Sequence, residues 1–226
     1  MREALQTVMF TLEEQVDPKH SALVIVDVQN DFVHDEGLFA KLAGSKWKSY
    51  RLIPRMLEHL PRLLEAARQS DMLITFVRGI SEPRFISEPY AFIQQRKGIY
   101  GKVTRANTFG SDFYGDIRPN ESQAEFVVTK HRYSGFWGTD LDMVLRSNGI
   151  KTVVMTGTAT SGCVDATARD AFFNDYYVVT VEDCCGEKEE TQHKATLEKL
   201  DRSFGYVVNS EDLIKVWDRR FELTNS

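Results

Sequence analysis

A carboxylate, an ammonium and a thiol occupy equivalent places in this sequence. Ala22-Leu23-Val24-Ile25-Val26 runs into Asp27, and Phe126-Val127-Val128-Thr129 runs into Lys130. Val153-Val154-Met155-Thr156-Gly157 leads through Thr158-Ala159-Thr160-Ser161-Gly162 to Cys163, where a helix is expected to begin. Each apolar run reads as a buried strand. Ligands of an open parallel sheet sit outside the carboxyl ends of its strands. Asp27, Lys130 and Cys163 should therefore meet in one crevice. Acid, cation and thiol together are the parts of an activated cysteine nucleophile.

Each residue also has a plainer reading. A free cysteine is commonly a small buried hydrophobe, an aspartate after a strand is commonly a cap, and a lysine there commonly snorkels. The setting of Cys163 argues for chemistry. Thr160, Ser161 and Gly162 precede it and a helix over 164–173 follows. The positive end of that helix favours thiolate over thiol, and the small residues leave backbone N–H groups to hold an oxyanion. Cys184 and Cys185 follow Glu182-Asp183 and have no obvious base. Asp27 is expected to take the thiol proton and return it to a departing nitrogen. Lys130 is expected to keep Asp27 ionised, to favour the thiolate and to hold a polar substrate group. Water activated by the same carboxylate would then hydrolyse the thioester. This is acyl transfer to water with no metal and no cofactor.

The elements that must position these groups follow from hydrophobic period. Strands are predicted over 21–27, 72–77, 125–130, 151–156, 177–181 and 206–208. Helices are predicted over 52–68, 139–148, 163–174, 189–203 and 210–218, the last capped by Ser210. The helix over 52–68 carries a stripe of Leu52, Ile53, Met56, Leu57, Leu60, Leu63, Leu64 and Ala67. Strands alternating with helices imply an α/β fold: a doubly wound, six-stranded parallel sheet with helices on both faces, a Rossmann-like three-layer sandwich. The stretch 79–120 is long for a connection and holds Pro83, Pro89 and Pro119. It is expected to wall the crevice or to pack on another subunit.

The chain has 226 residues, 42% of them hydrophobic and 27% charged, a balance that can bury a core. It reads as one domain over 1–226 with a core of about 21–209. A net charge of -5 without a basic tract argues against nucleic acid as a partner. No apolar run reaches membrane-spanning length, and residues 1–16 contain Glu3, Glu13 and Glu14 instead of a leader's apolar core. Three cysteines with one adjacent pair make a poor disulfide framework. The expected location is the cytoplasm. His20, His34, His59, His131 and His193 show no metal-ligand spacing, and no Gly-rich phosphate loop follows the first strand.

Three ordered motifs carry a family resemblance: Val26-Asp27-Val28-Gln29-Asn30-Asp31-Phe32; Lys130 ahead of Tyr133-Ser134-Gly135-Phe136; and Gly157-Thr158-Ala159-Thr160-Ser161-Gly162-Cys163-Val164. Over about 21–209 the chain resembles the isochorismatase-like cysteine hydrolases. The resemblance implies Asp27, Lys130 and Cys163 as a triad. It also implies a cis peptide between Thr158 and Ala159, with the N–H groups of Ala159 and Cys163 as oxyanion hole. Where metal-bound nicotinamidases carry Asp-x-His, this chain reads Phe76-Val77-Arg78-Gly79-Ile80. The segment 130–137 is similar to ureidoacrylate amidohydrolases, and Thr160-Ser161-Gly162-Cys163 is similar to N-carbamoylsarcosine amidases. Both cues imply a small linear amide or ureido substrate. Phe32, Tyr133 and Trp137 are candidate pocket walls, and Arg132 or Arg105 a candidate partner for a substrate carboxylate. Relatives usually form homo-oligomers, which is the expectation here. Two other readings stay open: an ether hydrolase with Asp27 as general acid, and a non-enzymatic binding protein on the same scaffold.

Overall fold

Alternation along the central strand divides the core in two. Leu23 and Ile25 face one hydrophobic cluster, and Ala22, Val24 and Val26 face another. All six residues of this strand, β1 (Ser21–Val26), are buried, as expected when helices cover both faces of a parallel sheet. The computed structural model describes residues 7–120 and 125–224. Glu3 of the acidic opening stretch lies outside the described residues.

The remaining strands are β2 (Leu73–Gly79), β3 (Phe126–Lys130), β4 (Thr152–Thr158), β5 (Tyr177–Gly186) and β6 (Gly205–Val208). All pair in parallel, in the order β3-β2-β1-β4-β5-β6. Three short helices, α1 (Leu12–Gln15), α2 (Asn30–Val33) and α3 (Leu38–Ala43), flank β1 in sequence. They are followed by α4 (Leu52–Gln69), α5 (Glu88–Arg96), α6 (Leu141–Ser147), α7 (Asp165–Phe173), α8 (Glu190–Ser203) and α9 (Ser210–Thr224). The predicted stripe of α4 is buried except for half-buried Leu57, and with Trp217 of α9 it covers the face of Leu23 and Ile25. Leu141 and Leu145 of α6, Ala168 and Ala171 of α7 and Leu200 of α8 cover the other face. The result is the expected three-layer α/β sandwich. Among the described residues no helix is long and apolar enough to cross a membrane.

Strand order reverses between β1 and β4. From β1 the sheet grows through β2 to β3 on one side, and from β4 through β5 to β6 on the other. Such a switch point opens a crevice at the strand carboxyl ends. Two predicted elements differ. Strand five continues through Cys185 to Gly186, because Asp183, Cys184 and Cys185 are all buried in the sheet. Ser210 does not cap the last helix: it gives its hydroxyl and N–H to the Asp183 carboxylate at 2.7 and 2.8 Å. Asn209 caps instead, accepting the Asp212 N–H at 3.1 Å.

Candidate active site

Asp27 is the first residue beyond β1, and its positive φ of 53° turns the chain out of the sheet. Its N–H donates to the Val77 carbonyl at 2.8 Å, so the turn is tied to β2. Lys130 is the last residue of β3 and pairs in register with Gly79. Cys163 lies in a π-helical turn, Thr160–Val164, that runs directly into α7. The sequence placed it at a helix start, and the wider turn is the local departure. Single π turns recur at functional sites.

The three side chains meet. Lys130 Nζ lies 2.7 Å from Asp27 Oδ2 and 3.4 Å from Cys163 Sγ. Its third contact is the Arg132 carbonyl at 3.0 Å. An ammonium has three donors, and all three are spent inside the protein. Lys130 is 3% exposed, so these contacts hold a desolvated charge. Burial alone would pull its pKa down, and the Asp27 carboxylate, with Cys163 behind it, holds it above the ordinary lysine value. The Cys163 thiol is pushed up to about 12, by burial first and by Asp27 as well, against the opposing pull of Lys130. That upward shift runs against the favoured thiolate that the sequence pointed to. Low dielectric outweighs the cation. The second carboxylate oxygen, Asp27 Oδ1, is buried with no hydrogen-bond partner among the described residues.

Close packing sets this geometry. A Cβ on Gly79 would lie 3.3 Å from Asp27 Oδ1 and 3.8 Å from Lys130 Nζ. At Gly157, φ is +107° and a Cβ would fall 2.0 Å from the Val26 carbonyl oxygen, so β1 and β4 approach as only glycine permits. The Thr158–Ala159 peptide is cis. The Ala159 N–H has no acceptor among the described residues.

A cavity of about 840 Å³ opens over the three side chains. The long segment after β2 walls it with Phe85 and with Tyr90 and Gln94 of α5. Phe32, Arg132 and Tyr133 also line it. Trp137 does not: its ring is 63% exposed and stacks on the Arg132 guanidinium at 5.2 Å. Arg105 is exposed and lies outside the lining. Arg132 Nη1 is turned to the Phe85 and His131 carbonyls at 2.8 and 2.7 Å.

Several supporting residues escaped the sequence reading. Gln29 accepts the Gly79 N–H at 2.8 Å and donates to the Gly79 and Ser111 carbonyls, joining three segments beneath the cavity. Asp31 accepts the N–H groups of Thr104 at 2.6 Å and Leu38 at 3.1 Å, which docks the long segment. Glu187 accepts both the N–H and the hydroxyl of Ser161, at 3.0 and 2.6 Å, and so anchors the turn that carries Cys163. Gln29 and Asp31 stood inside the first motif, but their partners lie some 50 to 80 positions away. Glu187 left no signal beyond its place after a strand.

The isochorismatase domain pattern matches residues 21–212. The chain is 30% identical over 207 residues to ureidoacrylate amidohydrolase RutB of Klebsiella pneumoniae, covering 86% of this chain and 85% of that protein. It is similar in structure to N-carbamoylsarcosine amidase from Thermoplasma acidophilum, with TM-score 0.67 and 31% identity over 84% of this chain and 96% of that one. A cysteine hydrolase from Pseudomonas syringae pv. phaseolicola shares the fold, with TM-score 0.77 and 21% identity over 91% of this chain and 95% of that one. With the domain pattern matched over most of its length and a relative of this identity over the same span, the chain belongs to the isochorismatase family.

Proposed function

We propose that this protein is a cysteine amidohydrolase that cleaves the C–N bond of a small linear ureido or amide substrate without a metal. The observation that carries the reading is the contact of Lys130 with both Asp27 and Cys163 at the floor of the cavity. The named relatives act on a ureido acid and a carbamoyl amino acid, in support of that substrate class.

Asp27, through its unpartnered oxygen, takes the proton of the Cys163 thiol as the sulfur attacks the substrate carbonyl. The N–H groups of Ala159 and Cys163 hold the oxyanion. The tetrahedral adduct collapses, its C–N bond breaks, and Asp27 returns the proton to the leaving nitrogen. Asp27 then draws a proton from water, which attacks the thioester carbonyl carbon; the C–S bond breaks, the acid leaves, and Asp27 returns the proton to the Cys163 sulfur. With a ureido substrate the released acid is carbamate, which decomposes to ammonia and carbon dioxide. Lys130 keeps Asp27 ionised between these steps. Its donors are spent, so it serves the carboxylate and the sulfur and not a substrate group. Phe32 and Tyr133 wall a planar substrate.

Residues 1–226 act in this reading as one domain, in a homo-oligomer. Exposed Phe92 and Tyr100, both in the long segment, supply apolar surface for assembly. Light scattering that returns the mass of a single chain at micromolar concentration refutes the assembly.

The test is ammonia release, by a coupled assay, from ureidoacrylate, N-carbamoylsarcosine, biuret, maleamate and nicotinamide. Turnover of one ureido or amide compound that is lost in Cys163→Ala supports the reading. Silence across the panel, or activity that survives in Cys163→Ala, overturns it and turns attention to ether hydrolysis.

A further inference from the structure

Formal charge among the cavity's lining residues balances, four carboxylates against Lys97, Lys130, Arg132 and Lys188, but the two signs are mostly not paired with each other. Each of the four carboxylates is engaged. Asp27 pairs with Lys130 at 2.7 Å, Glu82 with Arg84 at 2.8 Å and Asp165 with Arg169 at 2.8 Å. Glu187 gives its oxygens to Ser161 and to the Lys188 N–H. Lys97 and Lys188 line the same cavity and form no ion pair among the described residues. Lys97 follows α5 as its C-cap, and among the described residues its ammonium donates to the Tyr133 hydroxyl alone, at 3.1 Å. Lys188 follows β5; its ammonium sits 3.8 Å from the centroid of the Phe39 ring and donates to no protein acceptor among the described residues. A half-buried ammonium held on an aromatic face is partly desolvated, and a desolvated cation gains most from an anion brought to it. Burial lowers the Lys188 pKa; Glu187 opposes that shift, and Lys97 adds to it, so the two ammonium groups sense each other.

We propose that Lys188, with Lys97 beside it, selects a substrate bearing a carboxylate and holds that carboxylate away from the Cys163 sulfur. The hydrolase reading supplies the reaction, and this inference deepens it by assigning the anion's binding groups. Arg132, the sequence's candidate for that role, spends Nη1 on two carbonyls and lies between the rings of Tyr90 and Trp137 at 5.0 and 5.2 Å.

A pair of alkylating reagents tests the assignment without knowledge of the substrate. Iodoacetate and iodoacetamide present the same carbon to Cys163 and differ in charge. In both reactions the sulfur displaces iodide and forms a thioether, and the thiol proton leaves to Asp27 or solvent. The rate ratio of iodoacetate to iodoacetamide at Cys163, read by peptide mass spectrometry, is compared with the ratio for N-acetylcysteine amide. An ammonium with no ion-pair partner in a low-dielectric wall draws an anion toward it. The expected ratio therefore exceeds that of the free thiol by about tenfold, falls toward it in Lys188→Gln, and is kept in Lys188→Arg. The iodoacetamide rate of each variant reports on its fold. A ratio at or below that of the free thiol, a ratio unchanged in Lys188→Gln, or a Cys163 that reacts with neither reagent overturns the proposal. Because no turnover is needed, loss of the ammonia signal sinks the hydrolase reading alone.

Discussion

Lys130 has no donor left to give. Its three N–H groups reach a carboxylate, a sulfur and a carbonyl, so its replacement leaves Asp27 buried and unpaired. Breaking a buried pair by removing one partner costs about 3–5 kcal/mol, and Lys130→Met should lose that stability in urea unfolding along with turnover. Unchanged stability would contradict a net stabilising contact between Lys130 and Asp27. Cys163→Ser should keep the parent's circular dichroism and unfolding midpoint while kcat drops by about 10⁴-fold or more. Burial pushes the Cys163 thiol up to about 12, so its thiolate fraction in the free protein grows with pH across the alkaline range. Alkylation by iodoacetamide should climb steadily from pH 7 to 10. A plateau near neutrality would show a preformed thiolate and remove the need for Asp27 as base.

The turn that carries Cys163 is braced from behind. Thr160 Oγ1 donates to the Gly186 carbonyl at 3.1 Å and so accepts from His193 Nδ1 at 2.9 Å; His193 Nε2 then accepts from Arg55 at 3.2 Å. This chain uses the neutral imidazole. Burial, with the Arg55 guanidinium next to it, pulls the His193 pKa from 6.5 down to about 4. Between those values the unfolded chain binds a proton that the folded chain refuses. Stability present above pH 6.5 is therefore lost as pH falls toward 4, by about 2–3 kcal/mol. Urea midpoints for the parent and His193→Gln should diverge at pH 7.5 and converge near pH 4.5; parallel pH profiles would contradict this. On the opposite wall, Asp31→Ala removes two buried acceptor contacts and should cost about 2–4 kcal/mol, read as a lower midpoint with loss of turnover. Neither brace was legible in the sequence. Period marks strands and helices because burial repeats along them, and it placed α4 and β1 within a residue or so. It has no purchase on Glu187 or Asp31, which reach the N–H groups of Ser161 and Thr104, 26 and 73 positions away.

At the scale of the molecule, topology does the gathering. Asp27 and Cys163 leave adjacent strands at the switch point, and Lys130 reaches them from the sheet edge across Gly79. This convergence was legible, because strand carboxyl ends share one rim in any parallel sheet and each group followed an apolar run. The cavity's charge balance was not. It depends on which lysines end beside an aromatic face and which carboxylates are already engaged, contacts that join distant segments, as Lys188 meets Phe39. Trp137 and Arg105 show the same limit: one was offered as a wall and the other as a partner for a substrate carboxylate, and neither lies among the cavity's lining residues. The central claim is that Cys163 is acylated during turnover. Its most direct test is acid quenching of the protein during reaction with ureidoacrylate, followed by mass analysis of the Cys163 peptide. The account predicts a carbamoyl adduct on that sulfur in the parent and none in Cys163→Ala. Ammonia release with no adduct, sustained in Cys163→Ala, would contradict it.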